Sequence, residues 1–300
     1  MRPELLPGFA PLKDRYDAVI LDLWGVIHNG QSIFPGVLQC LDRMADADFG
    51  IVFLSNAPRR SDIVMSQLDR FGIGEERYHA IVTSGDLTRD ALERAAGEKE
   101  PRWGKRYFHL GPERDADLLD GLVYEKVETI EAADFILNTG LFDDENETPD
   151  DYAESLKPAI ARDQAMICVN PDLIVRRGGH EVPCAGALAA TYESWGGKVT
   201  YFGKPDPRAY EVCISRLGDV SRNRIVAVGD SVRTDMGGAN RAGIDALFVA
   251  SGIHAPDLGI KPGDTPDMDK VDALLRAGNV NVIGVVASLI WGSHDFACER

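Results

Sequence analysis

Four short apolar runs, each stopped abruptly by a polar or small residue, constrain this chain more than any other feature. Ala18-Val19-Ile20-Leu21 runs into Asp22, Ile51-Val52-Phe53-Leu54 into Ser55-Asn56, Ile225-Val226-Ala227-Val228 into Gly229-Asp230, and Ala246-Leu247-Phe248-Val249-Ala250 into Ser251-Gly252. Short β-rich runs without alternation are what a strand covered on both faces requires, and such strands belong to parallel sheets. Helical stretches separate them: Val37 to Ala45, Arg60 to Phe71, Pro207 to Leu217, and Thr234 to Ala242 closed by Gly243. Strand alternating with helix predicts an α/β fold, an open doubly wound parallel sheet with right-handed crossovers. Ligands of such sheets lie beyond the carboxyl ends of the strands. Asp22, Ser55, Asn56 and Asp230 sit just there, so three strands deliver polar ends to one crevice.

The spacing predicts an insertion. A strand–helix–strand unit takes about 30 residues, yet 148 residues separate Ser55 from the next site candidate, Lys204. That tract has its own strands (Arg106 to Leu110, Phe135 to Leu137, Ala165 to Val169) and helices (Asp86 to Ala96, Asp150 to Arg162, Gly186 to Trp195). We expect residues 83–198 to form a second α/β domain inserted into a core built from 1–82 and 199–300. Three hundred residues suit two ordinary domains. The acidic stretch Asp143-Asp144-Glu145-Asn146-Glu147 reads as a solvated loop before a helix, and 262–300 carries no assigned role beyond a short helix, Met268 to Leu275.

Thirty-two basic against 48 acidic residues give a net charge of −16. Nucleic acids and anionic membranes are bound by clustered Lys and Arg, so neither is an expected partner. Five widely spaced cysteines (Cys40, Cys168, Cys184, Cys213, Cys298) form no C-x-x-C pair, which argues against a zinc site or disulfide framework and for a reducing cytoplasm. The amino-terminal residues lack the apolar stretch of a signal peptide, and the apolar tract Val282 to Trp291 is too short to span a bilayer as a helix.

A carboxylate at a strand end followed by a turn glycine, as in Asp22-Leu23-Trp24-Gly25, acts either as a covalent nucleophile or as a Mg²⁺ ligand. Lys204 lies in Gly203-Lys204-Pro205-Asp206-Pro207, where two prolines stiffen its ledge. Gly229-Asp230-Ser231-Val232-Arg233-Thr234-Asp235 places two carboxylates on a loop entering a helix. Acids with one lysine suit Mg²⁺ plus phosphate, the metal offsetting the negative charge and the lysine stabilising the transferring group.

The ordered set Asp22-x-x-Gly25, Ser55-Asn56, Gly203-Lys204-Pro205 and Gly229-Asp230-x-x-x-Thr234-Asp235 resembles the haloacid dehalogenase superfamily, and within it the class IIA, NagD-type phosphatases. Thr83-Ser84-Gly85, Asn170-Pro171-Asp172 and Gly186-Ala187 extend the likeness, which runs from about residue 17 to 253. The resemblance implies a Rossmann-like core, a large α/β cap, and Mg²⁺-dependent hydrolysis of a small phosphorylated metabolite through an aspartyl-phosphate. By that resemblance Asp22 would be the nucleophile and would bind Mg²⁺ with Asp230 and the main-chain carbonyl of Trp24. Ser55 would bond the transferring phosphate, with the Asn56 main-chain or side-chain amide nearby. Lys204 would neutralise the phosphate and hold Asp22 ionised, and Asp235 would position the metal's waters or Lys204. A homodimer is expected by family analogy alone.

One position departs from the family pattern, Asp-x-Asp-Gly. Where the second aspartate would protonate the leaving group and then activate the hydrolytic water stands Trp24. General acid–base help is typically worth about 10²–10⁴-fold, so alkyl phosphates should turn over slowly, and aryl or acyl phosphates should suffer less. Three readings stay open: Trp24 merely packs in a degenerate phospholigand-binding or regulatory protein; His28, whose unperturbed pKa suits the task, supplies the proton; or the enzyme works on activated substrates without a second acid. Arg176, in Arg176-Arg177-Gly178-Gly179-His180, would meet an anionic substrate or sit in a solvated basic loop. Arg59-Arg60 would help with phosphate or cap a helix. A nicotinamide-dependent oxidoreductase fails because no G-x-G-x-x-G turn follows the first strand. With −16 charges overall, Mg²⁺ and Lys204 must reverse the field locally, aided by Arg59, Arg176 or Arg233, and metal-free protein should bind phosphate esters poorly.

Overall fold

The computed structural model describes residues 2–99, 102–261 and 263–292. In chain order the first strands are β1 (Ala18–Leu21), β2 (Gly50–Ser55), β3 (Ala80–Thr83), β4 (Arg106–Leu110) and β5 (Glu125–Lys126). There follow β6 (Phe135–Asn138), β7 (Ala165–Cys168), β8 (Ile174–Arg177), β9 (His180–Pro183) and β10 (Lys198–Tyr201), then β11 (Ile225–Gly229), β12 (Asp245–Val249) and β13 (Gly284–Val286). They build a six-stranded sheet in the order β13-β12-β11-β1-β2-β3, a five-stranded sheet in the order β10-β7-β6-β4-β5, and a β8–β9 ribbon. Every pairing in the two larger sheets is parallel, while the ribbon is antiparallel.

The unbroken apolar runs follow from burial on both sides. Val19 and Leu21 of β1 point into one apolar layer, with Val37, Leu41 and Met44 of the helix Val37–Asp46. Ala18 and Ile20 point into the opposite layer, with Tyr210 and Cys213 of the helix Pro207–Arg216. The second sheet repeats the scheme, Ile136 facing one cluster and Phe135 and Leu137 the other. Its strands run from Arg106 to Tyr201, so they fall between β3 and β11 of the first sheet.

Two elements differ from the sequence expectation. Beyond the short helix expected there, found at Met268–Ala277, the stretch after 262 supplies the edge strand β13, registered as Leu247↔Gly284 and Val249↔Val286 on β12. Only three residues long, β13 offers too little pattern to be read as a strand. The helix expected from Thr234 begins at Gly237, because Val232–Met236 forms a π-helical turn that carries Asp235. Cys40, Cys168, Cys184 and Cys213 are buried; Cys298 lies outside the described residues. Among the described residues, no helix is long and apolar enough to cross a membrane.

Candidate active site

The order in which the chain adds strands reverses at β1. The chain lays β2 and β3 on one side of it and β11, β12 and β13 on the other, and the crevice of a doubly wound sheet opens at such a switch point. There the strand ends bring Asp22, Ser55, Asn56 and Asp230 together, all buried. Lys204 and Asp235 join them. Lys204 Nζ donates to Asp22 Oδ1 and, at 2.8 Å, to Asp235 Oδ1. One oxygen from each of Asp22, Asp230 and Asp235 lies within 4.8 Å of the others.

Glycines make this crowding possible. A Cβ at Gly25 (φ +83°) would fall 1.9 Å from Asp230 Oδ2, and one at Gly252 2.0 Å from the same oxygen. That carboxylate also accepts the Ile253 N–H at 2.6 Å. The Ser231 N–H donates to Asp235 Oδ2 at 3.1 Å, so the π-helical turn aims its acid back at the strand ends.

Three buried carboxylates face one ammonium. Burial, opposed by Lys204 and reinforced by Asp235, pushes Asp22 up to about 8. Burial and then the charges of Asp22 and Asp235 raise Asp230 well above the carboxylate range. Lys204 stays charged, because the pull of Asp22, Asp235 and Asp172 outweighs its burial. An excess of buried acid presenting only oxygen donors fits a hard divalent cation such as Mg²⁺, which Asp22, Asp230 and Asp235 would hold.

Asn56 has a different place from the one its neighbour suggested. Its Nδ2 donates to Asp172 Oδ1 (3.0 Å) and Lys204 O (3.1 Å), while its Oδ1 accepts the Lys204 N–H (2.8 Å) and the Ser84 hydroxyl (3.3 Å). The side-chain amide is thus a clamp on the Lys204 loop, leaving the main-chain amide for any phosphate contact. Gly203 (φ +107°) completes the clamp, since a Cβ there would meet Ser84 Oγ at 1.8 Å. Ser55 Oγ accepts the Ala57 N–H at 3.2 Å and keeps its own proton to donate.

His28 is 2% exposed, and burial lowers its pKa to about 4. Its Nδ1 accepts the Gly30 N–H at 3.1 Å, and its ring packs against Trp24 with centroids 5.3 Å apart. A neutral, acceptor-bonded imidazole is not the near-neutral acid that its reference pKa promised. Trp24 Nε1 donates to Arg176 O at 3.1 Å, tying the first-sheet loop to the ribbon. The Arg176 guanidinium pairs with Glu181 at 2.8 Å, and Arg233 is bonded to Pro171 O.

Trp24 and the ribbon divide the space above Asp22 into two chambers. The smaller, about 100 Å³, is lined by Ser55, Asn56, Val182 and Arg177; the larger, about 800 Å³, by Lys204, Asp230, Ile174, Arg176 and Glu181. Asp22, Trp24, Asp172 and Val175 border both. Side chains alternate across a strand, so one ribbon lines both rooms. Asp172, though inside a recognised motif, went unassigned because nothing in its spacing shows that it bonds Asn56 116 residues away. The acidic loop also holds a surprise: Asp144, with a side chain 12% exposed, pairs with Arg177 at 3.0 Å and with Arg114.

Comparison with known proteins agrees with this arrangement. Residues 19–137 match the haloacid dehalogenase-like hydrolase family, and residues 201–277 match the HAD-hydrolase-like family. A solved hydrolase of the haloacid dehalogenase-like family from Brucella suis 1330 is 38% identical, with 96% of this chain and 100% of that one covered and a TM-score of 0.80. Chronophin from Bos taurus is 27% identical over 98% of this chain and 99% of its own. The ribonucleotide monophosphatase NagD of Escherichia coli (strain K12) is 27% identical over 80% and 89% respectively. With its strand-end acids, its lysine loop and a second sheet inserted between them, this chain belongs to the haloacid dehalogenase-like hydrolases, in their class IIA, NagD-type group.

Proposed function

We propose that the chain is a Mg²⁺-dependent phosphatase of small phosphate monoesters that works through an aspartyl-phosphate on Asp22 and favours acidic leaving groups. The observation that carries the reading is the buried set of Asp22, Asp230 and Asp235 around Lys204 Nζ at the switch point of the sheet. NagD and chronophin, the relatives named above, support the reaction class. When bound, Mg²⁺ would offset the joint negative charge of acids and phosphate.

A carboxylate oxygen of Asp22 forms the new bond to phosphorus as the bond to the leaving oxygen breaks, and that oxygen departs with the electron pair. Lys204 lies on Asp22 and stabilises the charge spread over the transferring group. The Ser55 hydroxyl donates to a phosphoryl oxygen. Water then attacks phosphorus, the bond between phosphorus and the Asp22 oxygen breaks with its electron pair returning to Asp22, and the water's protons leave with inorganic phosphate.

The departing oxygen needs a proton unless it is already stable as an anion. Trp24 offers only an indole N–H, committed to Arg176 O, and His28 is neutral. Acidic leaving groups, as in aryl and acyl phosphates, are therefore the ones this site suits best.

Phosphate release from an aryl and alkyl ester series, with and without Mg²⁺, tests this. We expect Mg²⁺-dependent turnover that falls steeply as leaving-group pKa rises, is lost in Asp22→Asn, and is trapped by trifluoroberyllate on Asp22. Binding of phosphate esters without turnover of any would overturn the enzymatic reading in favour of a phospholigand-binding protein.

A further inference from the structure

Five side chains on the wall of the smaller chamber alternate in sign: Arg59, Asp115, Arg114, Asp144 and Arg177. Arg59 Nε lies 2.6 Å from Asp115 Oδ1, and Arg114 Nε 3.8 Å from Asp115 Oδ2. Arg114 Nη2 also reaches Asp144, which Arg177 grips with both terminal nitrogens at 3.2 and 3.0 Å. The series starts in the loop after β2 and ends in the ribbon, with its middle members in the loops after β4 and β6. It therefore lines the chamber from four separate segments, together with Asp22, Ser55 and Asn56.

Its ends are both cationic, so three guanidiniums share two carboxylates. Asp115 is 2% exposed and Asp144 12% at the side chain, whereas the three arginines keep 28–46%. The acids are the anchors and the guanidiniums are the accessible parts. Glu145, 3.6 Å from Arg177, is exposed and does not line the chamber. The other acids on the chamber, Asp22 and Asp172, sit at the reacting end beside Lys204 and Asn56. Each guanidinium carries five N–H donors in a fork matched to carboxylate or phosphoryl oxygens. Sharing one chamber with Asp22, such donors are placed to meet another part of a substrate whose phosphoryl group is at Asp22.

We propose that this arginine–aspartate series binds a second anionic group, carboxylate or phosphoryl, on the leaving part of the substrate. The protein then selects phosphate monoesters of small acids over those of neutral alcohols and phenols. The inference rests on the reading of Asp22 as the phosphoryl site and adds to it the chemistry of the alcohol side.

The test uses the Mg²⁺-loaded full chain and esters matched in shape but not in charge, 4-carboxyphenyl and 4-carbamoylphenyl phosphate. Wild type should favour the carboxylate in kcat/KM by at least about tenfold. That ratio should fall by about 10- to 100-fold in Arg177→Gln and in Arg114→Gln, the worth of one charge-assisted hydrogen bond. Arg177→Lys keeps the charge without the fork and should lose part of it, which separates recognition from misfolding. A wild-type ratio near one, or a ratio unmoved by all three variants, overturns the proposal.

Should no ester turn over, the phosphatase reading fails and calorimetry reads the subsite alone. Tighter binding of 3-phosphonopropanoate than of 3-phosphonopropanamide sustains the proposal, and equal binding overturns it. The tighter of 3-phosphonopropanoate and ethylene-1,2-diphosphonate identifies the preferred anion.

Discussion

Replacing Asn56 by alanine isolates what the clamp on Lys204 is worth. Asn56 is 3% exposed and makes two donor and two acceptor bonds. Truncation strands the Lys204 N–H, the Lys204 carbonyl and one oxygen of Asp172, while Ser84 keeps its bond to Phe202 O. Each buried polar group left unmet costs about 1–3 kcal/mol, and water entering the vacated space recovers some of it. A net loss of about 3 kcal/mol lowers Tm by roughly 6–12 °C in a chain of this size. Lys204 also loses its fixed position, and misplacement by about 1 Å costs on the order of 10²-fold in rate. Asn56→Asp keeps the shape but turns two donors into acceptors facing Asp172 and the Lys204 carbonyl, so it should be at least as damaging. Thermal unfolding alongside steady-state kinetics on an aryl phosphate reads both effects. If Asn56→Ala keeps its Tm and kcat and raises KM alone, Asn56 is a phosphate ligand and the clamp argument is wrong.

Trp24→Asp restores a carboxyl where an acid is missing and should raise kcat on alkyl phosphates toward the 10²–10⁴-fold typical of acid–base help. The same variant loses the bond to Arg176 O and part of its packing, so Tm should drop; an unchanged dependence on leaving-group pKa would count against the acid deficit. Asp22 and Asp230 have folded-state values above the unfolded value of about 3.9. Their contribution to stability is therefore complete below about pH 4 and is lost as pH rises toward 8. Metal-free protein should lose Tm across pH 5–8, and Mg²⁺ at about 100 times its Kd should return about 2.7 kcal/mol, on the order of 5 °C, at pH 8. A Tm that is flat with pH, or indifferent to Mg²⁺, argues against an excess of buried acid. Gly25→Ala presses a methyl into Asp230 Oδ2 and should weaken Mg²⁺ binding, measured by calorimetry, more than it lowers Tm.

The parallel core was legible because burial on both faces leaves unbroken apolar runs, and β1, β2, β11 and β12 lie where those runs are. β8 and β9 were not, since a ribbon with polar residues on both sides, Arg176 opposite Glu181 and Arg177 opposite His180, has no apolar face to show. At the site, acids ending strands were visible as candidates from position alone. What Asn56 and His28 do was not, because it depends on partners and burial that spacing does not encode. A histidine in a loop looks exposed until Trp24 and Phe71 close over it. Asp144 was hidden for a related reason: in a run of acids, composition cannot say which one turns inward to meet Arg114 and Arg177.

The turn that joins β8 to β9 has a consequence for how such a protein changes its diet. Gly178 and Gly179 both have positive φ (+56° and +91°), the backbone that a two-residue hairpin turn demands. Because Arg177 lines the smaller room and its neighbour Arg176 the larger, shifting β8 by one position would exchange these two side chains. Arg177 would leave the arginine-lined room and Arg176 would enter the other's place. The register set at this turn thus bears on the walls of both rooms at once.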